Sequence, residues 1–197
     1  GPHGVADYAT MLLLMTIRRM KRILQRTEIQ DYTLAGIQGR ELKDLTVGVI
    51  GTGRIGRCVL SNLSGFGCKR LAYDLYENEE VKKSGAVYVS LEEMWKQADV
   101  ITLHAPLTED NYHMIDAKAI ASMKDGVMIV NTARGGLIDT EALIDGIESG
   151  KIGGAGLDVV ENEFGLYYYD HKSDILNNRD LAILRGFPNV TVSHHMA

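Results

Sequence analysis

The chain has little of several things that would mark a special class. It carries two cysteines, Cys58 and Cys68, in 197 residues. Nothing about their spacing suggests a metal site or a disulfide framework. Both read as small buried thiols of a reducing compartment. There is no excess of positive charge: 21 Lys and Arg stand against 26 Asp and Glu, a net charge of −5. That balance excludes an overall basic field for nucleic acid or an anionic membrane. The local cluster Arg18, Arg19, Lys21, Arg22 reads as the solvated face of a helix. There is no membrane-length apolar run either. The most apolar stretch, Met11 to Ile17, is far short of the roughly 18 residues that span a bilayer. Charge follows that run instead of preceding it, the reverse of a signal peptide. Internal repeats and low-complexity segments are absent too. These absences point to a cytoplasmic globular protein with no metal and no nucleic-acid or membrane partner.

What is present is an ordinary composition, 45% hydrophobic and 24% charged, and enough chain for one substantial core. Residues 5–27 carry a helical apolar pattern, and 1–28 are assigned to one long helix. Its middle is apolar nearly all round, so both sides should be covered. Residues 29–44 show no clear period and read as a connection. From residue 46 short apolar runs alternate with helical stretches. The runs lie at 46–50, 69–74, 86–90, 100–105, 127–133, 154–160 and 189–194. The helix candidates are 54–64, 91–98, 116–123, 139–149 and 173–185. Runs apolar on both faces belong in a parallel sheet covered by helices on both sides. The expected fold is therefore α/β, a doubly wound Rossmann-type sheet of about seven strands over 46–197.

The stretch "VGVIGTGRIG" supplies Gly51, Gly53 and Gly56 as G-x-G-x-x-G between a predicted strand and a predicted helix. Asp74 stands 18 positions past the last glycine, at the end of the next predicted strand. That context is the dinucleotide fingerprint. Gly51 permits a tight turn, Gly53 lets a pyrophosphate approach the backbone, and Gly56 lets the helix pack closely. The helix N-terminus, at Arg54 and Ile55, offers free N–H groups and partial positive charge to phosphates. Asp74 would accept hydrogen bonds from the adenosine ribose. Its charge would repel a 2′-phosphate, and Leu75 and Tyr76 supply no cation to reverse that, so NAD is favoured over NADP.

Ligands of such sheets bind beyond the carboxyl ends of the strands. His104, Arg134, Asp158, Glu163 and His195 fall there, in "HAPLTEDNYHMI", "NTARGGLID", "GLDVVENE" and "SHHMA". Together with the glycine fingerprint, and in this order, these motifs resemble those of the NAD-dependent D-2-hydroxyacid dehydrogenases, over essentially the whole chain. The resemblance implies that Arg134 holds the substrate carboxylate and polarises the keto oxygen, a task for a planar bidentate fork. It implies that His195 is the acid/base and that Glu163 is its carboxylate partner. A carboxylate there would orient the imidazole and favour its charged form. "ENE" offers Glu161 as well as Glu163, and the family pattern favours the latter. Asp158 matches a position near the nicotinamide. His104, Ala105, Pro106, Asn111, Thr132 and Ala133 match positions along the cofactor cleft. The family usually has proline where His194 stands. His113 and His171 read as surface or packing residues.

The aromatic stretch after Glu163, with Tyr167, Tyr168 and Tyr169, resembles the D-lactate and D-2-hydroxyisocaproate dehydrogenase branch. The family fold adds a substrate domain, which this chain lacks, so the chain reads as a cofactor domain inactive by itself. The long first helix is expected at an interdomain or homodimer contact. The resemblance implies NAD as cofactor and a small 2-keto or 2-hydroxy acid as substrate. An NAD-responsive scaffold of the C-terminal-binding-protein type shares this fold and remains the alternative.

Overall fold

The computed structural model describes residues 1–161, 179–193 and 195–197. Seven strands form one sheet: β1 (Thr46–Ile50), β2 (Lys69–Tyr73), β3 (Val87–Tyr88), β4 (Val100–Leu103), β5 (Val127–Asn131), β6 (Ile152–Leu157) and β7 (Val190–Val192). Their spatial order is β3-β2-β1-β4-β5-β6-β7, and every neighbouring pair is parallel. The chain builds outward from β1 in one direction and then, from β4, in the other. The crevice between β1 and β4 is therefore the switch point where such sheets take ligands.

Alternation along the strands explains the two faces. Val47 and Val49 of β1, Ala72 of β2, and Met128 and Val130 of β5 face one core, shared with α1 (Pro2–Ile17) and α3 (Arg54–Ser64). Ile50, Leu71, Ile101, Leu103, Val127 and Ile129 face the other, covered by α5 (Leu91–Gln97), α6 (Ala117–Ser122) and α7 (Thr140–Glu148). A strand with apolar residues at both parities is buried on both sides. The helices start where side chains accept their first free N–H groups: Ser90 caps α5, Asp116 caps α6 and Asp139 caps α7. A short helix, α4 (Glu79–Lys83), is capped by Asn78 and has too few residues to show a period. The last described helix is α8 (Arg179–Gly186).

The expectation of one helix over residues 1–28 is corrected. Two helices occupy it, α1 and α2 (Met20–Glu28), parted at Arg19, whose backbone is left-handed (φ 56, ψ 41). The cause lies in the connecting segment. Arg40 N donates to the Ile17 carbonyl at 3.1 Å, which an unbroken helix would need for itself. A Cβ on Gly39 would meet the Ile17 carbonyl and Arg18 Cα at 2.8 Å, so that segment lies directly against the break.

The basic cluster is not simply a solvated face. Lys21 Nζ donates to the carbonyls of Arg185, Phe187 and Val190 at 2.8, 2.6 and 2.7 Å. One ammonium thus closes the end of α8 and the entry to β7, with all three of its donors used. Cys68 is buried, and burial pushes its thiol above the ordinary value. Cys58 is only half-buried, with Sγ 3.6 Å from His3 Nδ1. Replacing Lys21 by Met, which keeps the stem and removes the three donors, is expected to lower stability by about 1–3 kcal/mol. Urea unfolding followed by circular dichroism checks this, and an unchanged midpoint would show the clasp to be dispensable.

Candidate functional site

The turn after β1 brings three chain segments together. Gly51 has φ 95, and a Cβ there would meet Ala105 N and the His104 carbonyl carbon at 2.6 Å. Only glycine lets the exit of β4 pass so close. Gly51 N donates to the Tyr73 carbonyl at 2.8 Å, and His104 N donates to the Ile50 carbonyl at 2.7 Å. A Cβ on Gly56 would collide with the Gly51 carbonyl oxygen, so α3 starts hard against the turn. A Cβ on Gly53 would meet nothing within 4 Å. Open space over Gly53, beside a helix start with no side-chain cap, is what an approaching phosphate requires. Arg54 and Ile55 form the first turn of that helix.

A cleft of about 430 Å³ opens beside this turn, lined by Gly51, Asp74, Leu75, Tyr76, Ala105, Pro106 and Asn111, among others. Its size and largely apolar walls suit a small-molecule ligand. Asp74 directly follows β2, with its carboxylate held on both oxygens: Oδ2 accepts from Thr52 N at 2.7 Å and Oδ1 from Leu75 N at 2.7 Å. Asn111 lines the cleft but spends its amide on its own loop, donating to the Pro106 carbonyl and accepting from Thr108 N, both at 2.7 Å.

His104 turns its ring inward, with Nε2 2.8 Å from Thr102 Oγ1. Desolvation pushes its pKa down to about 4. The imidazole is neutral at physiological pH, and its contribution at the turn is through its backbone.

Further along the edge, the ends of β5, β6 and β7 are joined by two buried side chains. Asn131 closes β5: its Nδ2 donates to the Arg134 carbonyl at 2.9 Å, and its Oδ1 accepts from Ala133 N at 3.0 Å. Its backbone carbonyl accepts from Asp158 N at 3.0 Å. Asp158, 2% exposed, accepts on Oδ1 from Ser193 Oγ at 2.6 Å and Met196 N at 2.8 Å, and on Oδ2 from Ala197 N at 2.8 Å. Its carbonyl accepts from His195 N at 2.8 Å. The structure therefore brings Arg134, Asp158 and His195 to one place. Thr132 Oγ1 is the one buried side-chain oxygen or nitrogen without a hydrogen-bond partner among the described residues. Arg134 is exposed, and its guanidinium makes no hydrogen bond or ion pair among the described residues. Glu163, Tyr167, Tyr168, Tyr169, His171 and His194 lie outside the described residues.

Two features escaped the sequence reading. Asn131 is a polar residue at the end of an apolar strand, and that position was its only signal. The second is a hub at Glu161. Its Oε1 accepts from His113 Nε2 at 2.5 Å and Tyr112 Oη at 2.8 Å, and its Oε2 accepts from Thr140 Oγ1 at 3.3 Å. Burial opposes ionisation of Glu161, but the bonds from His113 and Tyr112 outweigh it and hold its pKa below the ordinary value. A Cβ on Gly135 would collide with the Val160 carbonyl, so the Arg134 loop rests directly on the segment that carries Glu161. His113 is thus a brace between loops, as its reading as a packing residue anticipated.

A Rossmann-type sheet with a glycine turn, a fixed carboxylate after β2 and an open cleft at the switch point defines a dinucleotide-binding domain. More narrowly, the chain belongs to the family described as D-isomer specific 2-hydroxyacid dehydrogenase, NAD binding domain, whose model matches residues 10–197. NAD is accordingly the cofactor of this domain. The chain is 50% identical over 196 residues to an aromatic 2-oxoacid reductase of Clostridium sporogenes, covering 99% of this chain and 59% of the relative. It is 45% identical to a D-specific alpha-keto acid dehydrogenase of Enterococcus faecalis, covering 100% of this chain and again 59% of the relative. Among solved structures it resembles D-lactate dehydrogenase from Aquifex aeolicus complexed with NAD and lactic acid: TM-score 0.92, 39% identity, 100% of this chain and 60% of that one. D-2-hydroxyisocaproate dehydrogenase follows at a TM-score of 0.89 and 38% identity, over 100% of this chain and 59% of that one. The chain thus spans about three-fifths of the length of the curated relatives it matches.

The His104 ring gives a pH dependence whose sign is fixed. Unfolded, a histidine titrates near 6.5; folded, this one titrates at about 4. Between those values the unfolded chain binds more protons, so stability falls as pH drops from about 6.5 toward 4. Urea unfolding at pH 7 and pH 4.5 is expected to show that fall, and His104→Gln to reduce it. An equal fall in the variant would assign it to other groups.

Proposed function

We propose that this chain is the cofactor-binding part of an NAD-dependent oxidoreductase that interconverts a 2-keto acid and its D-2-hydroxy acid, of the D-lactate or D-2-hydroxyisocaproate type. The observation that carries the reading is Arg134. Its guanidinium stands at the carboxyl end of β5 without a partner among the described residues. Its loop is pinned by Asn131 and pressed onto Val160. A planar fork held on a rigid loop, with its donors unspent, suits a carboxylate taken bidentately.

The residues present fit the dinucleotide. Gly53 and the uncapped start of α3, with Arg54 and Ile55, would hold the pyrophosphate. Asp74 would hold the adenosine ribose, with Ala105, Pro106 and Asn111 along the adenine side. Thr132, Ala133 and Asp158 would lie toward the nicotinamide end. When bound, the cofactor supplies the hydride donor and acceptor. Arg134 orients the 2-keto acid by its carboxylate and polarises the keto oxygen. His195 gives that oxygen a proton during reduction and takes it back during oxidation, with Glu163 as its carboxylate partner.

This chain is expected to bind NADH, read by quenching or energy transfer from Trp95, while turnover of 2-keto acids needs the full-length protein. There, Arg134→Lys is expected to lower kcat/KM for a 2-keto acid by roughly 10²–10³-fold, the scale of losing one well-placed donor to developing charge, with NADH affinity retained. An unchanged rate would remove Arg134 from the site.

The same reading places the protein in the cytoplasm as a homodimer, with no nucleic-acid or membrane partner. No helix among the described residues is long and apolar enough to cross a membrane. Met11, Leu24, Ile29, Tyr32 and Leu34 are 42, 50, 75, 73 and 73% exposed along α1, α2 and the segment after them. Apolar surface of that extent favours a covered face. Sedimentation at micromolar concentration is expected to give a dimer, and a monomer alone would overturn that part.

A further inference from the structure

A relay of hydroxyl groups runs from β3 to the carboxylate at the end of β2. Tyr88, on β3, places Oη 2.7 Å from Thr52 Oγ1 and accepts from Asn78 N at 2.9 Å. Thr52 lies between the first two glycines of the turn and is 3% exposed. Its Oγ1 lies 3.3 Å from Asp74 Oδ2, and its backbone N 2.7 Å from the same oxygen.

The proton order follows from the ends of the relay. Asn78 N can only donate, and an ionised Asp74 can only accept. One arrangement then makes every bond: Asn78 N donates to Tyr88 Oη, Tyr88 Oη donates to Thr52 Oγ1, and Thr52 Oγ1 donates to Asp74 Oδ2. With Leu75 N on Oδ1, the carboxylate receives three protein donors and is fixed at the wall of the cleft. Oδ2 is filled by its two donors from Thr52, and Oδ1, with Leu75 N alone, keeps acceptor capacity for a ribose hydroxyl. A 2′-phosphate would meet the same charge, and the charge could not swing away. Leu75 and Tyr76, 78 and 85% exposed, bring no cation to offset it.

We infer that Tyr88, a residue lining no part of the cleft, is a positioning residue for cofactor choice: through Thr52 it holds Asp74 in the pose that turns Oδ1 to a ribose hydroxyl and rejects a 2′-phosphate. This rests on the reading that the dinucleotide occupies the cleft beside Gly51. Two variants of this chain test it. Tyr88→Phe keeps the ring and removes the donor. Thr52→Val keeps the branched shape and the backbone N–H while breaking the relay at its centre.

Affinities for NADH and NADPH are measured by calorimetry, with urea midpoints as the folding control. Each variant is expected to bind NADH about 3–10-fold more weakly, the scale of one hydrogen bond. NADPH affinity is expected to hold or improve, so the ratio between the two contracts at least as much. The preference of the wild-type chain for AMP over 2′-deoxy-AMP is expected to contract in parallel. A folded variant whose NADH to NADPH ratio stays within twofold of wild type overturns the relay. A folded variant that loses both affinities equally overturns it as well, since that is damage to the turn and not a change of choice. If the wild-type chain itself binds no NADH, the cofactor reading falls, and the relay with it.

Discussion

Two stretches of backbone touch at Gly51, and the carboxyl edge of the sheet is organised around that contact. The residue combines a positive φ with neighbours at 2.6 Å where a side chain would begin. Any other residue would push the exit of β4 away from the turn after β1. The cleft, the start of α3 and the carboxylate of Asp74 are all placed relative to this crossing. Gly56 seats α3 on the Gly51 carbonyl. The hydrogen bond from Gly51 N to the Tyr73 carbonyl ties the turn to the end of β2, just before Asp74.

The edge divides by chemistry. Near β1 and β2 lie bare backbone, one fixed carboxylate and apolar walls, a set matched to an extended ligand with phosphates and a sugar. Near β5, β6 and β7 lie a guanidinium without a partner among the described residues and an imidazole. Between the halves no flexible segment is needed, because all seven strands are parallel and end on the same side. The architecture supplies proximity, and the local side chains supply the chemistry.

Much of this was legible in the sequence, for identifiable reasons. The central strands β1, β4 and β5, buried on both faces, leave runs that are apolar at both parities. The edge strand β3, exposed or half-buried, is marked only by its short apolar run, and α3 was found at its observed limits, 54–64. The glycines were found because backbone approach tolerates no substitute. What escaped was set by contacts between distant segments. Nothing within residues 1–28 announces that Arg40 takes the Ile17 carbonyl and splits the helix. Lys21 read as one more surface cation because its three acceptors lie more than 160 positions away. The Glu161 hub draws on residues 112, 113 and 140. Asn131, Thr52 and Tyr88 are polar groups whose purpose is visible only from their hydrogen-bond partners.

Residues 193 and 195–197 gather on the exit of β6, with Ser193 N on the Leu157 carbonyl and the other bonds on Asp158. Ser193, Met196 and Ala197 all donate to the carboxylate of Asp158, and His195 to its carbonyl. Acceptors shared at a single point cannot be surrendered one residue at a time without leaving a buried anion short of donors. Residues 193 and 195–197 are therefore placed together, as one bonded set. The position of the His195 backbone is thus set by the residue that follows β6 as much as by the strand it follows itself.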